Sequence, residues 1–150
     1  MGKVTVLGAG AWGTTMAQVL ADCGNEVLLW GRSTEVVDEI NNSHTNNKYL
    51  DKHLLPTQLN ATSNIAKAFK HSSSIVLAIP AQSLRAALIE WKPLIAADAL
   101  IVSTLKGIEL STQLRMTEVM IEVLGTNNYA IITGPNLAAE LIQRQPAGAV

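Results

Sequence analysis

The chain has 150 residues, 48% of them hydrophobic and 15% charged, which is enough apolar material for one α/β domain with a buried sheet. Its 11 basic and 12 acidic residues are spread without a block of like charge, which excludes the electrostatic footprint of a nucleic-acid or anionic-membrane binder. The one cysteine, Cys23, excludes a disulfide or cysteine-based metal framework and reads as a small buried apolar residue in a reducing compartment.

Val4, Thr5, Val6 and Leu7 form an apolar run that reads as a first strand, and Gly8-Ala9-Gly10-Ala11-Trp12-Gly13 follows at once. That spacing is the fingerprint of a dinucleotide-binding βαβ unit: Gly8 turns the chain sharply, Gly10 lets backbone N–H groups reach a pyrophosphate, and Gly13 packs helix on strand. The helix then presents its positive end to the anion. It runs over 14–23, with Met16, Ala17, Val19 and Leu20 as its apolar face, and stops at Gly24 before a second strand over 26–30. The glycine-broken stretch 4–12 is therefore strand plus loop, not a signal peptide. The longest apolar stretches, 75–81 and 94–102, are too short to span a bilayer, so a soluble cytoplasmic protein is expected.

Ser33 reads as the N-cap of a short helix carrying Val36, Val37 and Ile40, with Glu35, Asp38 and Glu39 on its wet side and an end at Asn41-Asn42. Residues 42–60 are Asn-rich and polar and read as a long surface connection, a kind that is often functional. A weak strand over 59–62 leads through a Ser63 cap into a helix over 65–70. A buried strand over 74–79 then stops at Pro80. From Ser83, Leu84, Ala87, Leu88, Trp91 and Leu94 recur at helical spacing as a core face. A strand over 100–104 precedes Leu105-Lys106-Gly107, a helix over 112–124 ends at Gly125, and a strand over 129–133 ends in Gly134-Pro135-Asn136. Asn136 reads as the cap of a last helix over 137–143, and residues 146–150 look like the beginning of another element. This alternation predicts a doubly wound, mostly parallel, Rossmann-like α/β sheet in a single domain, with ligands beyond the carboxyl ends of the strands.

About twenty residues after the glycines, where NAD-binding sites place an acidic residue for the ribose, the chain has Gly31-Arg32. A guanidinium pairs with a 2′-phosphate, so Arg32 favours NADP over NAD. The alternative is an Arg that stacks on adenine without choosing. Trp12 is either a wall of the pocket or a core residue. Lys106 follows a strand where the crevice should lie and suits a substrate phosphate or hydroxyl, against the plain reading of a surface lysine. Gly134 and Asn136 either bind or simply turn the chain. His44, His53 and His71 have no ligand-like spacing and read as solvated, so neither a metal nor a catalytic triad is assigned.

The chain resembles the amino-terminal half of bacterial NAD(P)-dependent glycerol-3-phosphate dehydrogenases. The resemblance rests on Gly8 to Thr14, Trp30-Gly31-Arg32, His44-Thr45-Asn46 with Tyr49-Leu50 and Leu55-Pro56, Ala78-Ile79-Pro80, Lys106-Gly107-Ile108-Glu109 and Gly134 through Glu140. It implies reversible reduction of dihydroxyacetone phosphate to sn-glycerol 3-phosphate, a phospholipid precursor. Carried over by position, Ala11, Trp12, Arg32 and Ala138 touch cofactor, Lys106 touches cofactor and substrate, and Gly134 and Asn136 hold substrate. Asn136 stands where the family more often has Ser or Thr, Leu137 where Phe is usual, and Asp51 where Pro is common. The resemblance also implies a homodimer and a helical domain beyond residue 150 bearing the general-base lysine. Residues 1–150 are then the NAD(P)-binding domain, with no catalytic residue of their own. A related hydroxy-acid or ketopantoate-type dehydrogenase and a non-catalytic NAD(P)-sensing module are the competing readings.

Overall fold

In the computed structural model, which describes residues 1–125 and 128–150, strands and helices alternate along almost the whole chain. They run β1 (Lys3–Leu7), α1 (Ala11–Asp22), β2 (Glu26–Trp30), α2 (Thr34–Ser43), α3 (Asn47–Leu50), β3 (Asn60–Thr62), α4 (Ile65–His71) and β4 (Ser74–Leu77). Then come α5 (Leu84–Trp91), β5 (Leu100–Ser103), α6 (Met116–Leu124), β6 (Tyr129–Ile131) and α7 (Ala138–Leu141). Every strand pairing is parallel, in the order β3-β2-β1-β4-β5-β6, the doubly wound order expected of strands joined by helical crossovers. The chain reverses its direction of winding between β1 and β4.

Side-chain alternation along the strands divides the core into two layers. Val6, Val27, Leu29 and Val76 point to the face covered by α1 and α2, where Ala17, Ala21, Val36, Val37 and Ile40 meet them. Leu7, Ile75, Leu77 and Ile101 point to the other face, under Ala68, Leu84, Leu88, Val119 and Met120. There Trp91 packs edge-on against Trp30 at 5.3 Å and against Phe69 at 5.9 Å. Thr5, buried in β1, sends its hydroxyl to Ala68 O (2.9 Å) and so ties α4 to the sheet.

Several expectations are corrected. Residues 42–60 are mostly exposed, as expected of a surface connection, but they are anchored: Asn46, Leu55 and Leu59 are buried, and just before them Asn41 clamps Ala61 of β3 through both ends of its amide. Glu39 of α2, expected on a wet face, anchors this segment by accepting from Thr45 Oγ1 (2.7 Å) and Asn47 N (2.8 Å). Cys23 is exposed, because it falls at the C-cap of α1 beyond the buried stripe, and Leu94 is exposed in the 3-10 turn Lys92–Leu94. The buried stripe of α1 includes Thr14 and Gln18, while Val19 and Leu20 are only half-buried. Asn64, not Ser63, caps α4 through Lys67 N.

The helix expected over 112–124 begins at Met116, since residues 109–115 form a tight return: Glu109 N donates to Leu114 O (2.8 Å) and Gln113 adopts a left-handed φ of 61°. Strands β4 and β6 end earlier than expected, at Leu77 and Ile131. Asn136 does not cap α7, whose N-cap is Leu137. Residues 146–150 run back so that Val150 pairs both ways with Thr133 (2.7 and 3.0 Å). The histidines are half-buried, with His53 Nε2 against Gln18 Oε1 (3.2 Å) and His71 Nε2 against Glu26 O (3.1 Å).

At Gly13 a Cβ would lie 1.8 Å from Gly8 O, so α1 sits on the end of β1 with no room for a methyl group. Gly13→Ala is expected to cost about 3 kcal/mol by overpacking. Urea unfolding followed by circular dichroism measures it, and a loss below about 0.5 kcal/mol, the range of neutral surface changes, contradicts this seat.

Candidate functional site

At the point where winding reverses, Gly8 adopts φ 123° and a Cβ there would strike Ala78 O at 2.4 Å, so β1 and β4 close together just as the chain turns into α1. Gly10 is the N-cap of α1 and supplies no capping side chain. A Cβ built on it meets nothing within 4 Å. The first-turn amides of α1, which have no acceptor inside the helix, therefore face open space with the positive end of the helix behind them. A flat anion fits that cradle, and a side chain at position 10 would fill it.

The cradle opens into a cavity of about 720 Å³, within the range of small-molecule and cofactor sites. Gly8, Gly10, Ala11 and Trp12 form its floor, with Ala78, Ile79 and Pro80 alongside. One rim is Gly31, Arg32 and Ser33 at the end of β2, joined by Lys48 and Tyr49 from α3. The other end is Thr104, Leu105 and Lys106 after β5, with Asn136, Leu137 and Ala138. Trp12 is a wall, not a core residue: its indole Nε1 is buried without a protein partner, and its ring lies 5.9 Å from Lys106 Nζ.

Lys106 donates to Gly134 O (3.0 Å) and to Asn136 Oδ1 (3.1 Å). Asn136 is buried and its Nδ2 donates to Gly148 O (3.4 Å), so the lysine is held by a fixed amide. An ammonium has three donors, and two are committed here. The loop bearing Lys106 is braced from below. Arg85 of α5 grips the buried carboxylate of Glu109 through Nε and Nη2 (2.9 to 3.1 Å) and Glu122 of α6 through Nη1 (3.0 Å). Thr112 Oγ1 also donates to Glu109. Gln82 holds the backbone on both sides, donating to Ile108 O (2.8 Å) and accepting from Leu110 N (3.0 Å). Arg85 first, and Thr112 second, keep the Glu109 carboxyl below the ordinary carboxylate value of 4.5.

Of the residues singled out in the sequence, Gly8, Gly10, Ala11, Trp12, Arg32, Lys106, Asn136 and Ala138 line this one cavity. Gly13 lies behind it as the seat of α1, and Gly134 enters through its carbonyl. Sequence reasoning missed three contributors. Asn46 is buried and donates to Ala9 O (3.1 Å) and Thr14 Oγ1 (2.9 Å), pinning the loop 44–55 to the glycine turn. The Arg85–Glu109 pair depends on two residues 24 positions apart, and no local pattern announces it. Lys48 sits in a polar stretch where only its pairing with Tyr49 hinted at a site. Among the described residues, no three His, Cys, Asp or Glu side chains converge as metal ligands, and no helix is long and apolar enough to cross a membrane.

A sequence model described as NAD-dependent glycerol-3-phosphate dehydrogenase N-terminus matches residues 3–150. The chain is 48% identical over 149 residues to a Mycobacterium bovis protein named glycerol-3-phosphate dehydrogenase [NAD(P)+] 2, covering 98% of this chain and 45% of that protein. It is 47% identical over 152 residues to the glycerol-3-phosphate dehydrogenase [NAD(P)+] of Corynebacterium jeikeium, covering 46% of it. The crystal structure of glycerol-3-phosphate dehydrogenase from Coxiella burnetii superposes with a TM-score of 0.90 at 33% identity, over 98% of this chain and 45% of that one. The chain thus spans a little under half the length of these relatives.

A carboxyl group held down in the folded state stabilises fully above its unfolded pKa, and that stability is lost as pH falls through the folded value. The brace under Lys106 is therefore expected to be intact above pH 4.5 and to loosen below it. The hydrogen-exchange protection factors of residues 105–115, taken against the intrinsic rate at each pH, should fall in that acid window in the parent chain, and already at neutral pH in Glu109→Gln. Unchanged protection in the variant would show that the ion pair does not hold the loop.

Proposed function

Because this chain belongs to the NAD-dependent glycerol-3-phosphate dehydrogenase family, as its amino-terminal part, we propose that it is the cofactor-holding half of an enzyme interconverting sn-glycerol 3-phosphate and dihydroxyacetone phosphate with NAD(P)(H). The observation that carries this reading is the single cavity joining the amide cradle of α1 to Lys106. The cofactor, when bound, supplies or accepts the hydride.

The residues of the chain then have distinct tasks. Gly8 makes the turn, Gly13 seats the helix, and Gly10 with Ala11 leaves the first-turn amides free for the pyrophosphate. Trp12 and Ala138 flank the cofactor. Arg32 meets the adenosine end and, by pairing with a 2′-phosphate, favours NADP over NAD. Lys106 lies between cofactor and substrate, where its ammonium, preorganised by Gly134 O and Asn136 Oδ1, offsets negative charge gathering on the substrate oxygen. Gly134 and Asn136 hold the substrate beside it.

The proton is handled by a second lysine in a helical domain beyond residue 150, so residues 1–150 bind nucleotide but do not turn over by themselves. The complete enzyme, on this reading, is a cytoplasmic homodimer that feeds phospholipid synthesis. Membership of the family sets aside the hydroxy-acid and ketopantoate-type reading.

Titration of the 150-residue chain with NADPH and NADH, followed by tryptophan fluorescence, should show saturable binding of both. Gly10→Ala should raise both dissociation constants about tenfold or more, because the added methyl fills the cradle. Arg32→Asp should raise that of NADPH roughly ten- to a hundredfold more than that of NADH; equal losses would remove its phosphate role. In the chain joined to its carboxyl-terminal half, Lys106→Ala should lower kcat by about a hundredfold or more. An unchanged kcat would exclude that role for Lys106, and a joined protein with no dehydrogenase activity would point to a nucleotide-sensing module.

A further inference from the structure

Two cations sixteen positions apart in sequence, Arg32 at the end of β2 and Lys48 in α3, both line the cavity. Neither side chain makes a salt bridge among the described residues. Lys48 lies over the Tyr49 ring, with Nζ 5.3 Å from the centroid. Ser33 caps α2 between them, accepting from Val36 N (3.4 Å) and donating to Glu35 Oε2 (2.5 Å). Glu35 is held below the ordinary carboxylate range first by that Ser33 hydroxyl and, to a smaller extent, by Lys48, whose field therefore reaches the start of α2.

The placement of Lys48 is built into the fold. Asn46, two residues earlier, is anchored to the glycine turn through Ala9 O and Thr14 Oγ1, and Asn47 N is held by Glu39 of α2. This anchoring brings one ammonium to the cavity in which the adenosine ribose is expected.

We propose that Lys48 is a specificity-determining residue: with Arg32 it forms a two-cation clamp for a phosphate on the adenosine ribose, and so sets the preference for NADPH over NADH. The inference rests on the nucleotide-binding reading of the cavity. Arg32 alone leaves that preference open, because a planar guanidinium also stacks on adenine and gains affinity for either cofactor. An ammonium is a compact point charge with no stacking plane, so its contribution goes to the phosphate. Lys48 also offsets Glu35, whose carboxylate would otherwise repel a 2′-phosphate at this rim.

The test is fluorescence titration of the 150-residue chain, its folding checked by circular dichroism, with NADPH, NADH and 2′,5′-ADP as probes. Lys48→Met should raise the NADPH and 2′,5′-ADP dissociation constants about five- to tenfold, the range of an exposed charge-assisted contact, and leave NADH within about twofold. Lys48→Glu should raise the NADPH constant further, and Lys48→Arg should restore the parent ratio. The NADPH constant of the parent should rise more steeply with added salt than that of Lys48→Met. Equal changes for NADPH and NADH, or none in Lys48→Met, would overturn the assignment of Lys48 while leaving nucleotide binding in place. Absence of saturable binding in the parent chain would overturn the nucleotide-binding reading itself, and the clamp with it.

Discussion

The seat of α1 on the carboxyl end of β1 is the contact from which the rest of the site follows. Gly8 O, Gly13 and Ala78 approach so closely that no side chain fits between them, and this contact fixes the direction in which the helix points its amides. Because β1 and β4 are neighbours whose connections run toward opposite edges of the sheet, the segments leaving them diverge above this seat and leave a crevice there. The cavity is a consequence of topology, and the glycines keep it open.

Around the seat, buried polar side chains join parts of the chain that the strand ladder leaves independent. Asn46 ties the loop 44–55 to the glycine turn, while Gln18 reaches from α1 to His53 on one side and to Ile142 O on the other (2.9 Å). Arg85, Glu109 and Glu122 do the same for α5, the lysine loop and α6. The buried members, Gln18, Asn46 and Glu109, are costly to bury without a partner, so they favour one arrangement of loops over the sheet. The two ends of the cavity are thereby supported separately, the Lys48 side from the glycine turn through Asn46 and the Lys106 side from the Arg85–Glu109 pair.

Neighbouring residues divide their labour sharply. Gly8 and Gly13 serve packing, while Gly10, between them, serves the cavity. Lys106 reaches its partners only because Gly134 and Asn136 come back to it after β6, and Asn136 is free to receive it because the N-cap of α7 is Leu137. Conformational definition and chemistry are carried by alternate positions of the same short motifs.

Hydrophobic periodicity, turn chemistry and the glycine spacing determined the strands and helices, the parallel doubly wound class and the place of the anion cradle, because those signals are local: a strand or a helical turn is decided within a few neighbouring residues. The same locality explains the errors. Cys23 and Leu94 fit an apolar pattern that ends just before them, and the anchoring of residues 42–60 leaves no local sign because what buries Asn46 is the distant Ala9–Thr14 turn. Only the tertiary structure decided that Lys48 lines the same cavity as Arg32, that Glu109 is the brace beneath Lys106, and that Trp12 is a wall. Those relations join residues far apart in sequence, where contact is set by the packing of the whole sheet and leaves no periodic trace in the chain.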